Sequence, residues 1–201
     1  MAVRENQSRQ QLRQFYRQRR NSLSPTQQLQ AGHQLLKTCL QTSLLKTPNR
    51  IACYLPNDGE IDLFPLINYC WQNNKQIYLP VLHPFVKGHL LFVAYYAQSK
   101  MLANRFGIPE PEISCPEVCP INQLDVIFTP LVAFDKLGQR LGMGGGFYDR
   151  TLAPLQREKT DTQVIGVAHS CQLAKTSLNC EKWDIPMQKI ITPGNVFNCK
   201  E

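Results

Sequence analysis

The sequence lacks any run of about 18 apolar residues, the length that a membrane-spanning helix needs. Its first residues are rich in arginine and glutamine and do not provide the apolar stretch of a secretory signal. Internal repeats, low-complexity tracts and a dividing linker are missing as well. With 201 residues, of which 43% are hydrophobic, the chain is long enough for one buried core. We therefore expect a single cytoplasmic domain that spans residues 1–201 and is a monomer.

The eight cysteines lack the close C-x-x-C pairs that many structural zinc sites use. Cys115 and Cys119 form the only close pair, and they lie in a proline-rich segment without a nearby histidine. Cys53 and Cys70 fall within apolar patterns, where a free thiol acts as a small hydrophobic side chain. We interpret the cysteines as reduced thiols of a cytosolic protein, with zinc at Cys115 and Cys119 as the alternative.

Two common phosphate-binding motifs are also absent. No G-K-[ST] tripeptide provides a Walker A loop, and the G-x-G-x-x-G pattern fails because Phe147 stands where the third glycine is required. Instead, four of the 11 glycines lie between Gly142 and Gly146, before a helix predicted over residues 147–155. Such a loop can present main-chain N–H groups to an anion at the start of a helix. The segment predicts a phosphate-binding loop, with a flexible surface linker as the alternative.

Positive charge is concentrated at the start of the chain. Residues 1–20 hold six arginines against Glu5, which accounts for +5 of the net charge of +7. This segment has no proline or glycine and predicts a helix over residues 2–20, with Arg9, Arg13 and Arg17 on one face. Such a face suits a small polyanion or a nucleic acid. A solvated helix surface is the alternative.

The next segment carries the signals of a helix start. Ser24 is suited to the N-cap, Pro25 to the first helical position, and Gln27 to the reciprocal bond of a capping box. The helix is predicted to end near residue 40. Its predicted buried stripe consists of Leu29, Leu36 and Leu40.

Strand signals then alternate with helical ones. The apolar runs at residues 50–55 and 76–81 flank a helical segment at residues 63–72, which predicts a βαβ unit. A short helix or turn is expected before residue 106. Further strands are predicted at residues 90–96, 125–129, 163–168 and 189–192. The fold class predicted is α/β: one three-layer domain with a mostly parallel central sheet flanked by helices.

Three polar residues stand where chemistry is expected. Glu60 follows the first strand, and ligands of α/β folds bind beyond the carboxyl ends of strands. Asp149 lies in the first turn of the loop helix, where it suits either a Mg²⁺ ion bound with a nucleoside triphosphate or the helix dipole. His169, just after a strand, is either a general base or an ordinary polar residue.

Three motifs together closely resemble the 5-formyltetrahydrofolate cyclo-ligase family, also called 5,10-methenyltetrahydrofolate synthetases, in its bacterial form. They are residues 129–135 (Thr-Pro-Leu-Val-Ala-Phe-Asp), the glycine-rich residues 138–150, and residues 183–186 (Trp-Asp-Ile-Pro). The resemblance extends from the arginine-rich helix to about Pro193. It implies ATP- and Mg²⁺-dependent cyclisation of 5-formyltetrahydrofolate to 5,10-methenyltetrahydrofolate through a phosphorylated formyl intermediate, with release of ADP and phosphate.

The resemblance also implies roles for individual residues, without naming a catalytic one. Asp149 and Asp184 match the Mg²⁺ carboxylates of the family. The folate contacts are Leu55, Glu60 and Tyr148, with Glu60 as a partner of the pterin. The ATP contacts are Arg9, Arg13, Arg140, Leu141, Gly142, Met143, Gly144, Gly145, Gly146, Phe147 and Tyr148. Because Met143 and Gly145 replace basic residues of some family members, main-chain N–H groups would make more of the contacts here.

The expected partners are therefore ATP and 5-formyltetrahydrofolate, with neither nucleic acid nor a membrane. Two other classes stay open at this point. One is another ATP-dependent small-molecule kinase or ligase, and the other is a basic module that binds nucleic acid.

Overall fold

The computed structural model describes residues 8–157, 160–179, 181 and 183–199. In these ranges the α-helices are α1 (Arg9–Asn21), α2 (Pro25–Gln41), α3 (Phe64–Gln72) and α4 (Phe147–Arg157). The strands are β1 (Arg50–Ala52), β2 (Gln76–Leu82), β3 (Leu90–Ala94), β4 (Met101–Ala103), β5 (Pro109–Pro111), β6 (Val118–Cys119), β7 (Val126–Pro130), β8 (Ala133–Phe134), β9 (Arg140–Leu141), β10 (Gln163–Val167), β11 (Lys189–Thr192) and β12 (Asn195–Asn198).

A central sheet contains eight of the described strands in the order β12-β11-β10-β7-β1-β2-β3-β6. The pairs from β11 through β10, β7 and β1 to β2 are parallel, while β12, β3 and β6 are added antiparallel at the two edges. The helix α3 connects the parallel strands β1 and β2, so the predicted βαβ unit is confirmed. A mostly parallel sheet of this kind confirms the predicted α/β class.

Successive side chains of β1 point to opposite faces of the sheet, so the buried core has one part on each face. Ile51 belongs to one buried cluster, together with Leu35 of α2 and Leu66 of α3. Ala52 points the other way, into a cluster that includes Leu152 of α4. The helices thus lie on both sides of the sheet, as predicted. Among the described helices, none has both the length and the apolar character needed to cross a bilayer.

Helix α1 begins later than predicted. Ser8 has an extended backbone and accepts a hydrogen bond from the Gln11 main-chain N–H, while the Gln11 side chain bonds back to the Ser8 N–H. This capping box fixes the start of the helix at Arg9. Residues 2–7 of the predicted helix lie outside the described residues.

In helix α2 the predicted start is right, and of the predicted buried stripe only Leu36 packs against the core, where it is partly buried. Ser24 and Gln27 form the expected capping box, but Leu29 is 61% exposed and Leu40 is 42% exposed. The buried face instead carries Ala31, Gly32, Leu35, Thr38 and Cys39. It packs close to another segment, since a Cβ atom at Gly32 would lie 2.6 Å from the Asp62 carbonyl oxygen. This close approach requires small residues on the buried face of α2. The predicted stripe contained only leucines and therefore did not include them.

Three other predictions on secondary structure need correction. Instead of a short helix or turn before residue 106, β4 pairs with β5 in an antiparallel hairpin. The edge strand β12 was not predicted. Helix α4 continues past Pro154 to Arg157, although the proline removes one backbone hydrogen bond.

Candidate functional site

The segments that carry the predicted site residues follow the carboxyl ends of neighbouring parallel strands. The segment with Leu55 and Glu60 follows β1, and the glycine-rich loop follows β7 by way of the β8–β9 hairpin. Helix α1 lies across this edge, where Tyr16 packs with Val132 and Leu141 in one buried cluster. In open α/β sheets this edge is where ligands bind.

The glycine loop, residues 142–146, connects β9 to the first turn of α4. Gly144 has φ +98° and Gly146 has φ +64°, a region that side chains with a Cβ rarely adopt. Leu141 is buried beneath the loop, whereas Met143 is 50% exposed. The loop therefore presents main chain to solvent at a helix N-terminus, where N–H groups and the helix dipole favour an anion.

The loop is tied down by arginine side chains. Arg13 of α1 donates from Nε to the Gly142 carbonyl oxygen at 2.8 Å. Arg150 of α4 donates to the Gly88 carbonyl oxygen at 2.9 Å and also to the Gly145 carbonyl oxygen. Sequence reasoning did not assign this anchoring role to Arg150. Because these bonds go to carbonyl oxygens, they do not occupy the N–H groups of the loop.

The two predicted ATP arginines of α1 lie close to each other. Partial burial and the nearby charge of Arg9 lower the pKa of Arg13, and the carboxylate of Asp184 acts in the opposite direction. Positive charge thus gathers beside the loop, where it would attract phosphate oxygens.

Asp149 and Asp184, the predicted Mg²⁺ carboxylates, are brought together and are both ion-paired. The Arg140 guanidinium is 2.5 Å from Asp149 Oδ1, and the Ile185 N–H donates to the same oxygen at 3.3 Å. Arg9 is 2.6 Å from Asp184 Oδ2. Burial acts to raise the pKa of Asp184, but the hydrogen bonds from Arg9 and the Glu181 N–H hold it below its usual value. Asp184 is therefore an anion at neutral pH.

The donor set fits Mg²⁺ better than zinc. Mg²⁺ is commonly held by one or two carboxylates together with substrate phosphates and water. Within the part of the chain that the structure describes, no three His, Cys, Asp or Glu side chains form a site that could hold a metal alone. The cysteines of that part, including Cys115 and Cys119, are free thiols. Two carboxylates near a glycine loop at a helix N-terminus suit a metal that is bound together with a nucleotide.

Arg140 and Phe147, both predicted ATP contacts, have side chains engaged within the protein. Arg140 is 5% exposed and donates from Nε to the Ile185 carbonyl oxygen at 3.1 Å. The Phe147 ring packs edge-on against Phe106, with 6.0 Å between the ring centroids. Both side chains therefore make contacts within the protein next to the two ends of the glycine loop.

Two of the predicted folate residues, Glu60 and Tyr148, lie near each other. The Glu60 side chain is 12% exposed, and one of its oxygens accepts a hydrogen bond from the Asn57 N–H at 3.2 Å. Burial raises the pKa of Glu60 to about 7, against the opposing charge of Arg20. Burial and the nearby Glu60 carboxylate also raise the pKa of Tyr148. Leu55, in the same segment, is partly buried and packs against the core.

Sequence reasoning missed the most deeply buried charge of this edge, Arg20. Its neighbour Arg19 is exposed, with its guanidinium over the Phe15 and Tyr16 rings. Arg20 is 0% exposed. Its spacing of four residues from buried Tyr16 is the signal that could have placed it inward.

His169 lies near Gly59, which directly precedes Glu60 in the chain. It is 3% exposed, and its Nε2 has no hydrogen-bond partner among the described residues. Burial lowers its pKa to about 4, and a backbone interaction with Gly59 acts against that shift. The imidazole is therefore neutral near pH 7. A role as general base stays a prediction.

Comparisons with known proteins show which family the sequence and the fold are similar to. The model of the 5-formyltetrahydrofolate cyclo-ligase family matches residues 5–193. The 5-formyltetrahydrofolate cyclo-ligase of Escherichia coli K12 is 48% identical over 181 residues, which cover 90% of this chain and 98% of that protein. The Haemophilus influenzae enzyme of the same name is 45% identical over 185 residues, which cover 92% and 97%. The NMR structure of Aquifex aeolicus 5,10-methenyltetrahydrofolate synthetase has a TM-score of 0.80 at 28% identity and covers 96% of this chain and 93% of its own.

Proposed function

Because the chain belongs to the 5-formyltetrahydrofolate cyclo-ligase family and is an enzyme of that activity, we propose that it uses ATP and Mg²⁺ to form 5,10-methenyltetrahydrofolate. ADP and phosphate are the other products. The observation that supports this best is the meeting of two unlike surfaces at one sheet edge: the glycine loop with Arg13, and the buried carboxylate of Glu60.

The glycine loop is the proposed binding site of the ATP triphosphate. Main-chain N–H groups of residues 142–146 and the start of α4 donate to phosphate oxygens. Arg13 and Arg9, already at the loop and at Asp184, add positive charge. Met143 and Gly145 provide no side-chain charge, so the main chain carries more of this recognition.

Asp149 and Asp184 are the residues proposed to hold Mg²⁺. Each carboxylate is paired with one guanidinium, Asp149 with Arg140 and Asp184 with Arg9. These pairs fix the two carboxylates at the foot of the loop. When bound, the ion neutralises negative charge on the phosphate oxygens.

The folate pocket is proposed to lie between Leu55, Glu60 and Tyr148. A carboxyl group that is largely removed from water forms directional hydrogen bonds with the polar edge of a pterin ring. Tyr148 directly follows Phe147 at the end of the glycine loop and lies near Glu60. It therefore lies where the two substrates would meet.

The reaction needs alignment more than it needs a reactive side chain. In the proposed sequence the N5-formyl oxygen attacks the γ-phosphorus, an O–P bond forms, and the bond to the leaving ADP oxygen breaks. N10 then attacks the activated formyl carbon, N10 releases its proton, and phosphate departs with the former formyl oxygen. The protein binds both substrates in line and stabilises negative charge on the phosphoryl group.

We do not propose a nucleic-acid-binding role for the basic helix. Its arginines make contacts within the protein: Arg9 with Asp184, Arg13 with Gly142, and Arg17 and Arg20 with Asp58. Because these side chains are turned toward the protein, their charge is concentrated beside the glycine loop and does not form an extended basic surface for a phosphate backbone. The single domain, the monomeric state and the cytoplasmic location stay predictions.

The test is a direct cyclisation assay. Purified protein with ATP, Mg²⁺ and 5-formyltetrahydrofolate is expected to produce the absorbance of the methenyl product. Matched reactions with ADP in place of ATP, or with the metal chelated, are expected to stay blank. A folded protein that produces no chromophore in the complete mixture contradicts the proposal and favours a different ATP-using enzyme.

A further inference from the structure

Arg20 is a fully buried cation whose bonds reach two segments beyond its own helix. Its Nε donates to the Asp58 carbonyl oxygen at 2.7 Å, and one terminal nitrogen is 2.9 Å from the Asp58 carboxylate. The other terminal nitrogen donates to the Leu131 carbonyl oxygen at 3.2 Å, just after β7. Because a buried charge is costly unless it is paired, these contacts hold the side chain in one place.

The same guanidinium also lies between the two proposed pockets. The terminal nitrogen that pairs with the Asp58 carboxylate is also 3.8 Å from Glu60 Oε1, on the folate side. The same nitrogen is 3.9 Å from Met143 Sδ, in the glycine loop. The two neighbours are more than 80 residues apart in the chain. A planar fork with five N–H donors can bond in several directions at once, which a lysine ammonium at the same position cannot reproduce.

We propose that Arg20 is a positioning residue that couples the folate pocket to the nucleotide loop by holding the Glu60 segment and residue 143 in a fixed relation. The inference rests on the proposed function, since it assigns Glu60 to folate and Met143 to ATP. Arg20 contacts neither substrate in this account. It acts through the residues that do.

Arg17 lies near Arg20 on α1 and provides a comparison, because it shares the Asp58 carboxylate with Arg20 but is more exposed. It also pairs with the Asp58 carboxylate, at 2.6 Å, but its side chain is 44% exposed. None of the described contacts of Arg17 reaches Glu60 or Met143. Arg17 therefore provides a matched control on the same helix and the same carboxylate.

The charge of Arg20 also bears on the ionisation of Glu60. The other titratable groups near Glu60 are Asp58, Tyr54 and Tyr148. Arg20 acts to lower the pKa of Glu60, whereas Asp58 acts to raise it. Removing the Arg20 charge is therefore expected to move the ionisation of Glu60 to higher pH.

The experiment compares Arg20→Lys with Arg17→Lys and wild type in the cyclisation assay. For Arg20→Lys we expect both KM values, for ATP and for 5-formyltetrahydrofolate, to rise roughly tenfold, since lysine loses the fork. Arg17→Lys is expected to change either KM by no more than about twofold. A merely structural role would lower the active fraction, and hence the apparent kcat, without raising both KM values.

A second variant, Arg20→Gln, tests the charge. The pH at which the folate KM changes is expected to lie higher in this variant than in wild type, and an unchanged midpoint overturns the charge effect. If Arg20→Gln does not fold, Arg20→Lys decides. A folded Arg20→Lys protein with an effect on neither KM, or on only one, overturns the coupling. An inactive wild type contradicts the proposed function instead, so the two failures are distinguishable.

Discussion

The glycine loop and the Glu60 segment differ in how each meets water. In the loop, Gly144 and Met143 are exposed, and the contacts that tie the loop down go to its carbonyl oxygens. In the Glu60 segment, the carboxyl is 12% exposed and lies beside the fully buried Arg20. One surface offers hydrated main chain, and the other offers a polar group largely removed from water.

This difference suits a sheet edge that is proposed to bind two unlike molecules. A polyanion keeps part of its hydration and is bound by many N–H donors and positive charges, so an open loop suits it. A heterocycle needs few but directional bonds in a dry pocket, where the cost of an unmatched group enforces selectivity. We therefore expect substitutions in the two regions to affect different substrates.

The largest effect on kcat is expected from a substitution at Asp149, in the first turn of helix α4. Asp149→Asn removes a proposed Mg²⁺ ligand and leaves buried Arg140 without its ionic partner. We expect kcat to fall by about 100-fold and the melting temperature to decrease. Measurements of kcat across a Mg²⁺ titration, with a thermal melt, check this. Asp161→Asn, at an exposed position, is the control, and a wild-type Mg²⁺ response in Asp149→Asn would rule out the metal role.

Arg13→Ala is expected to weaken ATP binding and to leave folate binding nearly unchanged. Because the Arg13 side chain donates to the glycine loop, we expect the KM for ATP to rise about tenfold while the KM for folate changes less than about twofold. Arg19→Ala, on the same helix but exposed over the Phe15 and Tyr16 rings, is the control for lost charge. An effect of Arg13→Ala confined to folate would contradict the placement.

Glu60→Gln is expected to weaken folate binding and to leave ATP binding nearly unchanged. This change keeps the shape of the side chain but removes its charge and one acceptor, so the KM for folate should rise about fivefold with little change for ATP. Glu112→Gln removes an exposed carboxylate that is paired with Lys100 and serves as the control. A defect limited to ATP would mean that the two pockets are reversed.

The shifted pKa values of two largely buried side chains, Glu60 and His169, predict how stability depends on pH. Because the folded pKa of Glu60 is raised from 4.5 to about 7, its contribution to the free energy of unfolding is complete below pH 4.5 and is lost as pH rises to 7. The folded pKa of His169 is lowered from 6.5 to about 4, so its contribution is complete above pH 6.5 and is lost as pH falls to 4.

The two slopes oppose each other between pH 4.5 and 6.5. Glu60→Gln removes the falling slope, so its free energy of unfolding should rise with pH more steeply than that of wild type, by up to about 1.4 kcal/mol per pH unit. His169→Gln should change the slope in the opposite direction. Urea unfolding at several pH values measures both, and parallel curves for all three proteins would show that neither group titrates as described.

The smallest effect distinguishes two positions within the loop. Gly144 has φ +98°, so Gly144→Ala is expected to lower the free energy of unfolding by about 1 kcal/mol. At Gly142 the space for a Cβ is open and φ lies outside the left-handed region, so Gly142→Ala should stay within about 0.5 kcal/mol of wild type. Equal losses of stability in both variants would show that the strain assigned to Gly144 is absent.

Sequence patterns predicted the features that depend on local chemistry. The capping box at Ser24 and Gln27 and the alternation of β1, α3 and β2 were found as expected, because each is set by neighbours in the chain. The glycine loop and Asp149 were placed beside each other correctly for the same reason. The resemblance to the family, rather than spacing, pointed to Asp184 and Leu55.

Features that depend on distant contacts could not be predicted in this way. The buried side of α2 is set by its approach to the Asp62 carbonyl, and no pattern within α2 shows that. Likewise, the spacing of Arg20 from Tyr16 indicates an inward direction, but only the fold shows that the side chain is surrounded by Asp58, Leu131 and Met143. The inward face of a charged helix is decided by what packs against it.

The most direct test of the account is a crystal structure of the protein with Mg²⁺ and a non-hydrolysable ATP analogue. The account predicts triphosphate oxygens within hydrogen-bond distance of main-chain N–H groups in residues 142–146, with Arg13 beside them and the metal between Asp149 and Asp184. A triphosphate bound elsewhere, with the glycine loop unchanged and free of ligand, would contradict it.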